Sequence, residues 1–158
     1  MRSIQVQERY PLPKNTTKIS DKQEVPQAAA LVYRRKKGAV EVLLVTSLAT
    51  QRWVLPKGHL DDGTSPRKSA EREAFEEAGV KGVIASKSIG TYPYLKADTK
   101  GGGRRRVEVF PMKARRLLDD WPEKRLRTRK WMSLEDAAAA VEEEKLKKLI
   151  MGFRKNLS

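Results

Sequence analysis

Three glutamates, Glu73, Glu76 and Glu77, stand at i, i+3 and i+4 behind a glycine-bearing loop, Gly58-His59-Leu60-Asp61-Asp62-Gly63-Thr64. At about 100° per residue, Glu76 and Glu77 lie within roughly 60° of Glu73 around a helix axis. Three negative charges this close repel one another and would destabilise an isolated helix. A cation must neutralise them, and the oxygen-only donor set suits a hard divalent ion. The chain has no cysteine and one histidine, so thiolate and multi-histidine metal sites are excluded. Clustered divalent ions polarise phosphoryl groups and lower the pKa of bound water, so the stretch reads as a metal site suited to chemistry on phosphates.

The helix that must carry these carboxylates has both its ends marked. Ser65 is a suitable N-cap, Pro66 takes the first helical position, and Gly79 is a natural stop. Ala74, Phe75 and Ala78 lie on another side and predict the face that packs on a sheet. Arg67 and Glu71, an i, i+4 pair, intrude at its edge.

Upstream, Val25 to Arg35 contains the apolar run Ala28-Ala29-Ala30-Leu31-Val32-Tyr33 and predicts a buried strand. A charged turn joins it to a second strand over Val40–Thr46. A short strand over Arg52–Gly58, ending at Pro56, then leads into the loop. Downstream, strands are expected over Val83–Ala85, Ile89–Leu95, Arg106–Met112 and Arg127–Met132. Asp98–Gly103 reads as a flexible turn, Asp119-Asp120-Trp121-Pro122 as a loop, and Ser133 as the cap of a first C-terminal helix, with a second over Lys145–Phe153. Residues 1–24 are polar, with Pro11 and Pro13, and read as a mobile arm before a single domain over 25–158.

Arg72-Glu73-Ala74-Phe75-Glu76-Glu77-Ala78-Gly79-Val80, spaced from Gly58, resembles the signature of the Nudix hydrolases. One position departs: Thr64 stands where the pattern usually has glutamate. The resemblance implies an α/β/α sandwich with a mixed central sheet and a metal-binding loop and helix. It also implies magnesium or manganese on Glu73, Glu76 and Glu77 and on the Lys57 main-chain carbonyl. The remainder of residues 26–150 is similar to one branch of that family, the diphosphoinositol polyphosphate and diadenosine polyphosphate hydrolases. The similarity rests on Arg52-Trp53-Val54-Leu55-Pro56, on Arg104-Arg105-Arg106, and on Trp121-Pro122 followed by Arg129-Lys130-Trp131-Met132. Lys57 stands where inositide members more often have glycine, and Gln27 where they tend to carry a basic residue.

Charge agrees with an anionic substrate. The net charge is +14, and residues 101–131 hold 11 Lys/Arg against 4 Asp/Glu, whereas residues 56–80 hold 4 against 6. An acidic nest within a basic shell draws in a polyanion. Arg52, Lys57, Arg104 and Arg105 are the expected substrate contacts, arginine as a bidentate fork and lysine as a point charge. Arg72, at i, i+4 from Glu76, is expected to brace the carboxylates. The base that takes the proton from water is one of the three glutamates or a downstream acid such as Glu108. His59 reads as a loop residue and Trp53 as core.

The expected activity is metal-dependent hydrolysis of a nucleoside, diadenosine or diphosphoinositol polyphosphate. The alternatives are removal of pyrophosphate from RNA 5′ ends, and non-catalytic binding of nucleic acid or polyphosphate. A small-molecule partner is expected, with nucleic acid secondary and the oligomeric state open between monomer and homodimer. A chain of 158 residues at mean hydropathy −0.66 has no apolar run near the roughly 18 residues of a membrane span. With no leader pattern at the N-terminus, a reducing cytoplasm is expected.

Overall fold

A computed structural model describes residues 24–96 and 103–157. The uninterrupted run Ala28-Ala29-Ala30-Leu31-Val32 suits a strand covered on both faces, and all five residues are fully buried in β1 (Val25–Lys36). β1 forms an antiparallel hairpin with β2 (Ala39–Thr46). Lys37 and Gly38 make its two-residue turn, both at positive φ (52° and 82°), the backbone hand that matches strand twist.

The stretch expected as one short strand is two. β3 (Trp53–Val54) pairs with β2, and β4 (Lys57–His59) pairs with β1. The chain changes partner at Leu55-Pro56, where proline has no N–H to give to a ladder and its carbonyl accepts from Ala30 N at 3.0 Å.

α1 (Pro66–Ala78) begins and ends as the sequence predicts. Ser65 Oγ accepts from Lys68 N at 3.2 Å, and Gly79 takes the left-handed conformation at φ 65°. Ala70, Ala74 and Ala78, at i, i+4 and i+8, are fully buried and let the helix lie close to the sheet. Phe75 differs from expectation. It is half-buried at the helix edge with Lys81 Nζ 5.7 Å from its ring centroid, and Ala70 takes the core position instead.

β5 (Val80–Ile84), β6 (Gly90–Leu95) and β7 (Arg104–Leu117) follow, the first two both antiparallel to β7. β7 runs parallel to β1, which makes the sheet mixed, and β8 (Arg129–Ser133) adds to β2. α2 (Leu134–Ala140) starts where Ser133 Oγ accepts from Asp136 N at 3.0 Å. After α3 (Glu144–Met151) comes a 3₁₀ turn over Phe153–Leu157.

The helices take opposite faces. Ala28 pairs with Gly58, whose missing Cβ would point at Glu73 of α1. Tyr33, of opposite parity on β1, packs edge-on against Phe153 at 5.0 Å between ring centroids. The layers are therefore helix, mixed sheet, helix. The expected arm over 1–24 and the turn over 98–103 lie outside the described residues, apart from Glu24 and Gly103.

Candidate active site

Gly58 joins the loop and the helix. A Cβ there would fall 2.3 Å from Glu73 Oε2, so the bare Cα makes room for the carboxylate. Gly58→Ala should leave the fold intact, because the obstructing atoms end a flexible side chain, yet displace Glu73. Metal-dependent turnover should then fall about 10–100-fold at a nearly unchanged Tm. Unaltered turnover in that variant would show that the position of Glu73 is immaterial.

Glu73 and Glu77 are buried, at 8% and 7% exposure, while Glu76 is half-buried at the cleft edge. Burial pushes the Glu77 carboxyl up to about 8, with Arg127 opposing the rise and Glu73 adding to it. Burial also raises Glu73, against the pull of the Arg72 guanidinium. Lys57 is pushed down to about 8 by burial, with Glu77 opposing. Its backbone N–H donates to Glu77 Oε1 at 3.3 Å, and its Nζ lies 3.7 Å from the centroid of the Tyr94 ring.

Arg72 ties the loop to the helix. It donates to Glu73 Oε2 at 2.8 Å, reaches the His59 carbonyl at 3.5 Å, stands 3.7 Å from Glu76 Oε2 and pairs with Asp61. Its tight partner on the helix is thus Glu73 rather than the expected Glu76. Thr64 carries no carboxylate, and the acidic anchor for Arg72 within the loop is Asp61, whose carbonyl accepts from Thr64 N at 3.0 Å.

Among the described residues, no three acidic or imidazole side chains converge on one point as they stand. Glu73 is turned to Arg72, and Glu77 lies 3.2 Å from Arg127 Nη2. The donor set nonetheless fits a hard divalent cation: it is all oxygen, on one helix flank, with two buried carboxylates repelling each other.

Arg52, Lys57, Arg72 and the three glutamates open onto one cleft of about 480 Å³. Arg104 and Arg105 do not. They line an adjoining cavity of about 600 Å³ that shares Thr50, Arg52 and Tyr94 with the cleft. Arg52 is already engaged, 2.7 Å from Glu143 and 3.6 Å from Glu142 in the link between α2 and α3. His59 lines the cleft as the last residue of β4 rather than from the loop, and Trp53 packs half-buried against the core. Glu108 is half-buried, and its register through Ala28 to Gly58 places it on the α1 side of the sheet.

Two residues have no counterpart in the sequence reading. Arg127, 10% exposed, holds Glu77, donates to Glu123 at 2.7 Å and to the Thr46 carbonyl at 3.0 Å. Tyr94 presents its ring to both Arg52, at 4.8 Å, and Lys57. Neither carries a local signal: Arg127 is one cation among several in Lys124-Arg125-Leu126-Arg127, and its partner lies 50 residues away in the chain.

A helix–sheet–helix fold around a mixed sheet, with an acidic loop and helix beside basic side chains, defines the chain as an α/β protein with a charged cleft beside its first helix. Residues 24–153 match the model of the NUDIX domain, and the chain belongs to the Nudix family. It is 34% identical over 104 residues to Nudix hydrolase 12, mitochondrial, of Arabidopsis thaliana, covering 62% of this chain and 50% of that protein. It thus spans about half the length of that relative. It is 32% identical over 147 residues to diphosphoinositol polyphosphate phosphohydrolase 3-alpha of Mus musculus, covering 87% of this chain and 86% of that one. Its fold is similar to that of the C. elegans Ap4A hydrolase, with a TM-score of 0.62 at 23% identity over 86% of this chain and all of that one. No helix among the described residues is long and apolar enough to cross a membrane.

Proposed function

We propose that this chain hydrolyses a phosphoanhydride bond in a highly anionic small molecule: a diadenosine or other nucleoside polyphosphate, or a diphosphoinositol polyphosphate. The observation that supports it most is the opening of three helix carboxylates and the cations Arg52 and Lys57 onto the same cleft. Glu73, Glu76, Glu77 and the Lys57 carbonyl would hold magnesium or manganese. Such ions, when bound, neutralise phosphoryl oxygens and acidify a water molecule. Arg72 keeps Glu73 and Glu76 on the cleft side of α1, and Gly58 leaves Glu73 room to turn. Lys57 and Arg52 meet the phosphate chain, and Arg104 and Arg105 meet the part of the substrate that extends into the adjoining cavity. One of the three glutamates, or Glu108, takes the proton from water. The names of the mouse relative and of the nematode structure suit both substrate classes. The absence of cysteine suits a reducing compartment such as the cytoplasm.

A substrate panel tests this. Diadenosine tetraphosphate, nucleoside triphosphates, diphosphoinositol pentakisphosphate and 5′-triphosphorylated RNA are incubated with magnesium and with chelator, and products are resolved. Magnesium-dependent cleavage of the small molecules ahead of the RNA is the expected result. No turnover of any member would reject the hydrolase reading.

A further inference from the structure

β5 ends the sheet on the side away from β3, and no strand lies beyond it among the described residues. Leu118 N donates to the Gly79 carbonyl and Ala85 N to the Pro111 carbonyl, both at 2.8 Å, which fixes the alternation of the ladder on either side of the bulge between Lys81 and Gly82. Lys81 and Val83 therefore turn their backbone groups to β7, and Gly82 turns its N–H and C=O to the open edge. Gly82 has no side chain to screen them and is only half-buried. Beside this edge, between α1 and β5, lies a groove of about 460 Å³ with Phe75, Val80 and Met112 as its apolar wall and Lys68 at its rim. A free strand edge beside a helix, with an apolar groove between them, suits an extended peptide that joins the sheet as an added strand.

Charge says what that strand must carry. Lys81 stands directly opposite Arg116, and Val83 directly opposite Lys113. Like charges so placed on neighbouring strands repel each other. Lys81, Lys113 and Arg116 are exposed, and none of them forms an ion pair with an acid among the described residues. Val83, 56% exposed, leaves an apolar patch between them. A second copy of β5 would bring another Lys81 to this edge and add to the repulsion, which is how lysine on an edge strand discourages self-pairing. A nucleic acid would answer the cations but leave the apolar groove and the Gly82 backbone unused. An extended segment with carboxylates on one face and apolar side chains on the other answers all three.

We propose that the open edge of β5 and the groove beside α1 form a docking site for an extended acidic segment of a partner protein, bound as an added strand. The segment pairs its backbone with Gly82, sets carboxylates against Lys81 and Lys113, and lays apolar side chains on Phe75 and Met112. The groove shares only Arg72 with the carboxylate cleft, so the proposal goes beyond the hydrolase reading and does not depend on it.

The probe is a fluorescein-labelled peptide, Asp-Val-Glu-Leu-Glu-Val-Asp, whose acidic and apolar side chains alternate between the two faces of a strand. It is titrated into the full chain at physiological ionic strength and followed by anisotropy, and saturable binding is expected. Lys81→Glu should weaken that binding about fivefold, and the peptide with every acid replaced by lysine should prefer Lys81→Glu to the native chain. The variant keeps its fold, because the new carboxylate is exposed and faces Arg116. Hydrogen exchange supplies a second readout: the peptide should slow exchange of the Gly82 amide, which makes no bond to β7. No saturable binding, equal affinity in Lys81→Glu, or a Gly82 amide left unprotected would each overturn the proposal. Displacement of the peptide by single-stranded oligouridylate, with the affinity for that RNA falling in Lys81→Glu, would overturn it too and assign the surface to nucleic acid.

Discussion

Glu77→Gln is expected to lower metal-dependent turnover by about three orders of magnitude, ~4 kcal/mol of transition-state stabilisation, while the protein remains folded. The amide keeps the size of the carboxylate, and its oxygen can still accept from Lys57 N, the bond that now measures 3.3 Å. What disappears is a negative charge that a divalent ion requires. A second readout separates ion binding from chemistry. Magnesium at about 100 times its Kd should stabilise the native chain by ~2.7 kcal/mol and raise its Tm. The variant should lose most of that rise. Unchanged turnover in Glu77→Gln would remove the metal assignment outright. Lost turnover with an undiminished rise in Tm would place the ion elsewhere.

Much of what positions Glu77 was written locally in the chain. The caps of α1 are adjacent residues acting on adjacent residues, Ser65 on Lys68 and Gly79 on Phe75, and such contacts are legible from spacing. The buried strand β1 was legible because only a doubly covered strand tolerates five apolar residues in a row. Charge was legible as a sum, but its pairing was not. Arg52 and Glu143 are 91 positions apart, and only the fold brings the α2–α3 link over β3 to join them. Phe75 misled because helical phase locates a face without saying how wide the contact is. Alanines pack closest, which leaves a large ring at the rim. The break at Leu55-Pro56 depends on which strand each half finds, and that is a tertiary choice. Gln27 was visible as a departure from the inositide pattern, but its unpartnered oxygen emerged only from the packing around it.

Arg127→Met should destabilise the metal-free protein by ~3–5 kcal/mol at pH 9, where Glu77, raised to about 8 by burial, is ionised in the native chain; the loss is measured by chemical denaturation. The guanidinium holds three groups together: Glu77 at 3.2 Å, Glu123 at 2.7 Å and the Thr46 carbonyl at 3.0 Å. Methionine replaces the bulk of the side chain but none of the charge, so Glu77, 9% exposed at its side chain, is left buried without its partner. Combining the change with Glu77→Gln should recover ~1–2 kcal/mol of the loss, because neutralising the stranded carboxylate removes the penalty. Strictly additive losses would mean that the two side chains do not feel each other. Magnesium supplies the sharper contrast, since Arg127 and a divalent ion compete for the same carboxylate. With the arginine gone, the ion loses its closest competitor for Glu77, so its stabilisation should be larger in Arg127→Met than in the native chain. An equal or smaller stabilisation would mean that Arg127 and the metal do not share Glu77, and that the ion sits closer to Glu73 and Glu76.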